Sequence, residues 1–425
     1  MDALAPDGAA ASLTSSERWR SFAACLLGWL FDFYDLVLFA YLAAAIGRDW
    51  HWGGAFAHNK GLLVGAALAA SGVGGVLFGG LSDRYGRRRV MAWTILVYSL
   101  GTGLCSCAWG LWSLAFFRIL TGLGVGGEWA TGHALMAEIF PSQRRGIAAA
   151  MLQAGEPIGV GLAVLAGLCL EPVLGWRAVF LISALPAVLV LFLRRMVRES
   201  PLWVKSQQSL AAKDLWAPYR TLLRDHWKRA LQGWVLGASK MGTYWLTYVW
   251  LPEYFSEIES AARVAGPAVS SFKILFILTA QASQFVGMLL FGAFSDRVGR
   301  RPAFTLYSLL TAAGLFVLAR HGVALLAHPV WFWLIMVAVG LGSGCTAGFG
   351  ALLAELFPTS IRNTAMGAVY NLSRAFQFVT QFVMAVVVMR VGVAHGLLMA
   401  VALALLTSVW VWTFPETRGI ALRED

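Results

Sequence analysis

Long apolar segments follow one another along the chain, separated by short polar loops. Twelve of them are about as long as the roughly 20 residues that a helix needs to cross about 30 Å of hydrocarbon, or longer. They lie near residues 21–46, 61–81, 90–109, 112–137, 146–169, 177–196, 230–252, 268–293, 303–320, 330–355, 364–390 and 395–414. In lipid only helices or closed barrels satisfy the backbone polar groups, and runs this long favour helices. The pattern therefore predicts an all-α membrane protein with twelve transmembrane helices.

Two motifs occur twice, half a chain apart. Leu81-Ser-Asp-Arg-Tyr-Gly-Arg-Arg-Arg89 returns as Phe294-Ser-Asp-Arg-Val-Gly-Arg-Arg-Pro302, and Ala137-Glu-Ile-Phe-Pro141 returns as Ala354-Glu-Leu-Phe-Pro358. Repeats of this kind in transporters place the binding site between the halves, near the bilayer midplane. We therefore predict two pseudo-symmetric six-helix bundles around a central cavity. The predicted parts are an N-terminal tail (1–20), a first bundle (21–197), a linker (198–229), a second bundle (230–414) and a C-terminal tail (415–425).

The composition agrees with a membrane location and excludes nucleic-acid binding. Hydrophobic residues make up 59% of the chain and charged residues only 13%. The net charge of +11 arises mainly from Lys and Arg near span ends, at 18–20, 84–89, 144–145, 194–229, 297–301, 362 and 418–423. By the positive-inside rule both termini are cytoplasmic. We predict a multi-pass protein of a bacterial inner membrane, surrounded by lipid and monomeric.

Both repeated motifs resemble signature sequences of the major facilitator superfamily. The segment Gly80–Arg89 is similar to its loop between the second and third helices, and the copy is expected between the eighth and ninth. Other similar segments are Arg118-x-x-x-Gly122, Ala137–Gly146, Arg198-Glu-Ser-Pro-Leu-Trp203 and Pro415-Glu-Thr-Arg-Gly419. The resemblance covers nearly the whole chain. It implies secondary transport by alternating access.

Two further segments resemble particular branches of that superfamily. Gly126-Gly-Glu-Trp129 and Glu199-Ser-Pro-Leu-Trp203 are similar to proton symporters for lactate, sialate and related carboxylates. Asp32-Phe-Tyr-Asp35 resembles a motif of the aromatic-acid symporters, with Phe33 in place of a glycine. The lactate permeases carry His and Asp in the seventh helix, whereas this chain has Lys240 and no acid there. The sequence therefore leaves the identity of the substrate open.

Charged residues inside spans are the main functional signal, because each costs about 2.5–3.5 kcal/mol at the centre of a helix in lipid. Seven are well inside: Asp32, Asp35, Arg118, Glu128, Glu156, Lys240 and Arg374. All four acids are in the first half, and the second half contains only bases. This division favours proton coupling in the first half and anion binding in the second.

The expected proton-coupling residues are Asp32, Asp35, Glu128 and Glu156. Asp32 and Asp35 lie three residues apart on one helix face, where two carboxyls repel each other and one could carry a proton near neutral pH. The alternative for this pair is a structural contact with Arg118. For Glu128 the alternative is a structural bond to a glycine-rich backbone neighbour.

The expected substrate-binding residues are Arg374, Arg118, Lys240, Asn371, Gln377, Tyr34, Tyr244 and Gln153. Arg374 belongs to a polar stripe in the eleventh span, and its planar fork matches a carboxylate. An ion pair of Arg374 with Asp35 or Glu128 is the structural alternative. Lys240 could be a second anion contact or part of a structural pair.

The resemblance also implies that charges at the cytoplasmic helix ends form networks that close the inside and break on opening. The expected gate residues are Asp83, Arg84, Arg87, Arg88, Glu138, Arg145, Asp296, Arg297, Arg300, Arg301, Glu355 and Arg362. The same charges also set the topology. Exposed ion pairs contribute only about 0–1 kcal/mol each, which suits a gate that must open.

The leading interpretation is a proton-coupled symporter of a small organic anion, a monocarboxylate such as lactate or pyruvate. Alternatives are an aromatic-acid, sialate or dicarboxylate proton symporter, an efflux antiporter of a hydrophobic metabolite or drug, and a non-transporting nutrient sensor. We do not expect an enzyme, because no hydrolase triad, metalloprotease motif or phosphate loop is present. No cofactor is expected. The five cysteines and the His, Asp and Glu residues show no metal-ligand spacing.

Overall fold

The protein is built from long helices that follow the predicted spans. The computed structural model describes residues 14–140, 150–185, 188, 199, 216–262, 267–357 and 361–417, and every regular element in these ranges is helical. The N-terminal half contains α1 (Ser15–Asp49), α2 (Phe56–Tyr85), α3 (Arg87–Cys105), α4 (Leu111–Ile139), α5 (Gly155–Leu165) and α6 (Glu171–Ser183). The C-terminal half contains α7 (Trp227–Ala262), α8 (Pro267–Val298), α9 (Arg300–Leu325), α10 (Pro329–Ser343 and Gly348–Leu356), α11 (Arg362–Ala375 and Gln377–Val391) and α12 (Val393–Trp410). A linker helix (Ala217–Asp225) precedes α7. This is the predicted fold class, twelve spans in two six-helix bundles.

The outer surface has the character of a lipid-facing surface. Eight helices in the described ranges are long and apolar enough to cross a bilayer. Large apolar side chains such as Leu100, Phe116 and Leu181 are exposed, while charged side chains such as Arg118 and Glu156 are buried in the interior. Water-soluble monomers rarely expose apolar surface of this extent. Apolar side chains face outward and these charged ones face inward because hydrocarbon, and not water, surrounds the helices.

Two glycine turns mark one end of the bundle, which we call the basic end. Gly86 precedes α3 with φ 97° and Gly299 precedes α9 with φ 111°, a backbone region that favours glycine. The opposite end, which carries the short 3₁₀ turn Gly53–Ala55, is called the far end. The basic end is the end that the positive-inside rule predicts to be cytoplasmic.

A glutamate caps the helix after each glycine turn. The Glu199 carboxylate accepts hydrogen bonds from the backbone N–H groups of Arg87 at 3.0 Å and Arg88 at 3.2 Å. The Glu416 carboxylate accepts from the N–H groups of Arg300 at 2.8 Å and Arg301 at 3.2 Å. The first N–H groups of a helix have no partner within the helix and carry partial positive charge. The repeated motifs thus encode the same cap in both halves.

The halves meet closely along α2 and α11. A Cβ atom at Gly72 would overlap Ala375 and the Asn371 carbonyl, and one at Gly75 would overlap the Asn371 amide. Nearer the far end, Gly61 faces Gln381 and Ala385 in the same way. Small residues let helix backbones approach in a membrane, where dispersion contacts replace the hydrophobic effect as the source of association.

A buried ion pair joins the halves at the far end. Lys60 of α2 is fully buried, and its Nζ lies 2.5 Å from Oε2 of Glu253 in α7. The same Nζ donates a hydrogen bond to the Val249 carbonyl at 2.9 Å and lies 5.1 Å from the centre of the Trp250 ring. Separation of the halves at this end would leave two charges without partners. The pair therefore favours a closed far end.

Replacing Glu416 by Gln should lower the apparent Tm, because the amide keeps the side-chain shape but loses the charge at the α9 N-terminus. A loss of about 1 kcal/mol is expected from such a contact. Thermal unfolding in detergent measures it. Asp225→Asn, in an exposed pair with Arg224 on the linker helix, is the control that should leave the Tm unchanged. Equal shifts in both variants would contradict a capping contribution.

A double-mutant cycle should reveal strong coupling between Lys60 and Glu253. Lys60→Met and Glu253→Gln each leave one partner unpaired, and breaking a buried pair costs about 3–5 kcal/mol. The double variant should be more stable than the sum of the single effects predicts, since no charge is then left alone. Apparent Tm values of the four proteins test this. Additive shifts would mean that the two side chains do not stabilise each other.

Candidate functional site

The centre of the interface between the halves holds the guanidinium of Arg374. Its side chain is 1% exposed, and by the 1.5 Å rise of a helix it lies about 18 Å from the start of α11. Its terminal nitrogens Nη1 and Nη2 have no hydrogen-bond partner within the described residues. The residue therefore faces neither lipid nor an acid partner at these two atoms. A buried cation whose two terminal donors lack partners in the described part of the chain has the chemistry to bind an anion.

Aromatic rings from both halves surround this guanidinium. Its central carbon lies 5.6 Å from the centre of the Trp29 ring, 5.7 Å from Phe33 and 5.2 Å from Tyr370. Trp29 and Phe33 belong to α1, and Tyr370 lies one turn before Arg374 on α11. Ring faces stabilise a cation electrostatically without occupying its N–H donors. Arg374 can thus stay charged and still bind a carboxylate.

A chain of side-chain contacts leads from the aromatic rings to Glu156. Trp129 of α4 stacks on Tyr370 with ring centres 3.8 Å apart and planes 2° apart. Its Nε1 donates to Gln153 Oε1 at 3.2 Å, and Gln153 Nε2 donates to Glu156 Oε2 at 2.8 Å. The chain connects the stacked pair to the carboxylate through direct contacts. The stack itself crosses from one half to the other.

Glu156 also contacts the C-terminal half directly. Nε2 of Gln284 in α8 donates to Glu156 Oε1 at 2.9 Å, so both carboxylate oxygens accept an amide hydrogen bond. Glu156 interacts electrostatically with Lys240 and Arg374. Lys240 is 1% exposed, and its Nζ has no hydrogen-bond partner in the described ranges. One acid of the first half therefore faces two bases of the second, as the sequence division of charges predicts.

Breaks in the helices lie beside these charges. α5 begins at Gly155, directly after a turn at Ala154, and α11 is interrupted at Phe376, two residues after Arg374. A π-helical turn at Ala166–Leu170 follows α5, and a 3₁₀ turn at Gly344–Ala347 divides α10. Discontinuous spans are common where transporters bind substrates and ions. Glu156 and Arg374 both occupy such positions.

The other three predicted acids lie within the N-terminal half. Glu128 accepts a hydrogen bond from Thr94 Oγ1 of α3 at 3.1 Å. Asp35 interacts electrostatically with Arg118, and Asp32 is buried one turn earlier in α1. The position of Asp35 agrees with its structural alternative, whereas this hydrogen bond of Glu128 comes from a threonine side chain and not from a glycine-rich backbone. Proton coupling through any of the three stays a prediction.

Several predicted substrate residues make contacts inside one half. Arg118 donates from Nη1 to the Asp35 carbonyl at 2.9 Å and from Nη2 to the Leu36 carbonyl at 3.0 Å, which ties α4 to α1. The hydroxyls of Tyr34 and Ser183 lie 2.6 Å apart. These contacts occupy the groups that would bind a ligand. Substrate binding by Arg118 and Tyr34 stays untested, and the contacts give both residues a structural explanation.

Two amide side chains of the polar stripe of α11 make different contacts, one to α7 and one within α11. Gln377 Nε2 donates to the Ala238 carbonyl of α7 at 3.1 Å. Asn371 Nδ2 donates to the Gly367 carbonyl at 2.9 Å, and its Oδ1 has no partner in the described part of the chain. Tyr244 of α7 is buried with its hydroxyl unpartnered among the described residues, and it interacts electrostatically with Glu156. Glu156 thus interacts with four predicted substrate residues: Arg374, Lys240, Tyr244 and Gln153.

The described gate charges form a network within the C-terminal half. Arg300 Nη1 lies 2.6 Å from Asp296 Oδ1, and its Nη2 lies 3.0 Å from Glu355 Oε1. Arg301 donates to the Phe414 carbonyl, while the side chains of Arg88 and Arg297 are exposed. Arg87 Nη1 donates to Ser82 Oγ at 3.2 Å in the other half. The predicted gating stays a prediction, since these contacts do not join the halves. The remaining gate side chains, Asp83, Arg84, Glu138, Arg145 and Arg362, lie outside the described part.

Sequence reasoning missed several residues of the central site. Gln281 and Gln284 are polar, three residues apart and inside an apolar span, the same signal that identified the stripe of α11. Trp29 and Tyr370 gave no signal, because aromatic residues are common in spans and near their ends. Lys60 lies close to a span end, where charge is ordinary. Only contacts across the interface identify Trp29, Tyr370 and Lys60, and Lys60 belongs to the far-end ion pair and not to the central site.

Curated relatives and a family model agree on the class of protein. The family model described as Major Facilitator Superfamily matches residues 24–282. A putative metabolite transport protein of Haemophilus influenzae is 31% identical over 417 residues, which cover 96% of this chain and 98% of that protein. A probable 4-methylmuconolactone transporter of Cupriavidus pinatubonensis is 32% identical over 419 residues, covering 96% and 93%. The gentisate transporter of Corynebacterium glutamicum is 28% identical over 366 residues, covering 84% and 78%.

Solved structures show the same fold. The partially occluded inward open conformation of the xylose transporter XylE from E. coli aligns with a TM-score of 0.76 and 20% identity, covering 96% of this chain and 100% of that one. At this identity the likeness concerns the fold alone. Together with the family model and the relatives, it establishes that the chain belongs to the major facilitator superfamily and is a multi-pass membrane transporter.

Proposed function

We propose that the protein is a proton-coupled symporter that carries a small organic anion with one carboxylate. The observation that carries the proposal is the buried guanidinium of Arg374, whose two terminal nitrogens have no hydrogen-bond partner among the described residues. Arg cannot lose its proton to escape burial, so its charge persists. A carboxylate fits the guanidinium fork with two parallel hydrogen bonds.

Glu156 is the proposed proton-carrying residue. A substrate carboxylate at Arg374 and the ionised Glu156 side chain would both face Lys240 and Arg374, so the two anions repel each other. Two unit charges about 6 Å apart at an effective dielectric constant near 20 interact by about 3 kcal/mol, roughly a hundredfold effect on binding. The substrate therefore binds best when Glu156 is protonated. By linkage, substrate binding favours proton uptake to the same extent.

The charges and contacts that the two halves share at the site provide a way to couple substrate binding to alternating access. The Glu156–Gln284 hydrogen bond and the Trp129–Tyr370 stack both join the halves next to the site. Loading with a proton and an anion neutralises charges that otherwise hold the halves through electrostatic attraction. The loaded site then costs less to carry through the low-dielectric interior.

The substrate is proposed to be a monocarboxylate such as lactate or pyruvate, with an aromatic carboxylate as the second candidate. The rings of Trp29, Phe33 and Tyr370 around the cation favour the second, since they can stack on a planar acid. Gentisate, which the relative from Corynebacterium glutamicum carries, is an aromatic carboxylate. Uptake of labelled lactate, pyruvate, benzoate, gentisate, sialate and succinate into proteoliposomes decides between the classes.

Arg374→Gln should abolish carboxylate transport. The neutral amide removes the charge and both fork donors, so kcat/KM should fall about a hundredfold or more. Arg374→Lys keeps the charge without the fork and should retain partial activity. Uptake into proteoliposomes and ligand-dependent thermal stabilisation measure the effect, with the exposed Arg224→Gln as control. Wild-type uptake in Arg374→Gln would refute the assignment.

Glu156→Gln should separate binding from proton coupling. In the wild type, carboxylate affinity should rise on acidification from pH 8 to pH 5, because protonation of Glu156 removes the competing anion. In Glu156→Gln the affinity should no longer depend on pH. Substrate exchange should persist in this variant, and proton-driven accumulation should be lost.

Asp35→Asn is the matched comparison for this experiment. If pH dependence survives in Glu156→Gln and disappears in Asp35→Asn, then the proton is carried in α1 and not in α5. The proposal for Glu156 would then be wrong, while the carboxylate site at Arg374 would stand.

A further inference from the structure

Gln281 of α8 carries a buried amide group that makes no hydrogen bond within the part of the chain that the structure describes. The residue is 3% exposed, and neither Nε2 nor Oε1 has a hydrogen-bond partner within the described residues. Exchanging the two atoms does not change this finding, because both are unpartnered. Buried amides without partners are costly, and proteins normally satisfy them. A side chain of this kind inside a transporter is suited to bind a polar group of the cargo.

The position of Gln281 connects it to the anion site. It lies one turn from Gln284, about 4.5 Å along the axis toward the far end, on the buried face of α8. Gln284 donates to Glu156, which interacts electrostatically with Arg374 and Lys240. A Cβ atom added to Gly161 of α5 would lie 3.5 Å from the side chain of Leu278, one turn further along α8. The amide of Gln281 therefore lies at the same interface, displaced toward the far end.

Tyr244 supplies a second unused polar group on the neighbouring helix. Its hydroxyl is buried without a hydrogen-bond partner in the described part of the chain, and the residue lies one turn beyond Lys240 in α7. It interacts electrostatically with Glu156 and Tyr370. The amide and the phenol both donate and accept hydrogen bonds, whereas Arg374 and Lys240 only donate. The site thus has a cationic part and a neutral polar part.

We propose that Gln281, with Tyr244, forms a second subsite that binds a hydroxyl group of the substrate remote from its carboxylate. A hydroxyl donates and accepts like the groups that face it, so it satisfies both the amide and the phenol. The proposed cargo is therefore a hydroxylated carboxylate whose two polar ends span the distance from Arg374 to Gln281. This inference rests on the carboxylate site of the proposed function. It assigns specificity to α8, which sequence reasoning left without a role.

The test compares acids that differ by one remote hydroxyl. Wild-type protein and Gln281→Met, which has similar length and no polar atoms, are reconstituted, and KM and kcat are measured for 4-hydroxybenzoate and benzoate, and for 4-hydroxybutyrate and butyrate. The wild type should prefer the hydroxylated member of a pair. In Gln281→Met the preference should fall about tenfold to a hundredfold, through KM and not kcat, since one set of hydrogen bonds is removed. Gln281→Asn should recover part of the preference.

Thr279→Val is the control on the same helix, because the Thr279 hydroxyl donates only to the Leu275 carbonyl of its own helix in the described contacts. This variant should leave KM and kcat unchanged for both acids of a pair. Thermal unfolding confirms that each variant is folded. An equal loss for both acids in Gln281→Met, or no wild-type preference, overturns the subsite while leaving the Arg374 site intact. If the wild type transports neither these four acids nor any carboxylate of the proteoliposome panel that includes lactate and pyruvate, the proposed function fails and the subsite fails with it.

Discussion

The burial of Arg374 between the two halves is the constraint on which the central site depends. A guanidinium stays charged in any protein environment, and placing it in a low-dielectric interior is unfavourable unless other groups compensate. Here the compensation comes from three aromatic ring faces and from the electrostatic field of Glu156. No hydrogen bond of ordinary geometry reaches the terminal nitrogens within the described residues, although the Tyr370 hydroxyl interacts with the guanidinium. The protein has stabilised the cation while leaving its most directional binding groups available.

The compensating groups come from both halves, so the site exists only when the halves are together. Trp29 and Phe33 belong to α1, Tyr370 and Arg374 to α11, and the Trp129–Tyr370 stack closes the arrangement on the side of the basic end. At the far end the Lys60–Glu253 pair holds α2 and α7 together. The central charges thus lie between an ionic contact on one side and an aromatic contact on the other. The ion pair and the aromatic stack should respond differently when substrate and proton bind, because stacking of two rings depends less on nearby charge than an ion pair does.

Close packing along α2 and α11 keeps this interface in register. Gly72 and Gly75 face Ala375 and Asn371, within one turn of Arg374. Larger residues there would separate the helices and move the guanidinium away from the α1 rings. Short turns interrupt the helices at Ala154 and Phe376, each two residues from Glu156 or Arg374. Backbone geometry and side-chain chemistry are therefore concentrated at the same places in the chain.

The sequence by itself determined the class of fold. Twelve apolar runs required helices, since lipid offers no hydrogen-bond partners to the backbone, and the repeats required two related bundles. It also identified most of the buried charges, because each is costly in a membrane and stands out in an apolar segment. Arg374, Lys240 and Glu156 were predicted in this way, with the acids and bases in opposite halves.

Only the tertiary structure decided which of those charges meet. Helical spacing orders residues on one face but carries no information on which helix of the other half that face will contact. Arg118 had the same signal as Arg374, yet its donors bind two carbonyls of α1. Trp29 and Tyr370 became part of the site through contacts between residues far apart in the chain. Their chemistry is ordinary for a membrane span, so their importance arises from position, which packing between the halves sets.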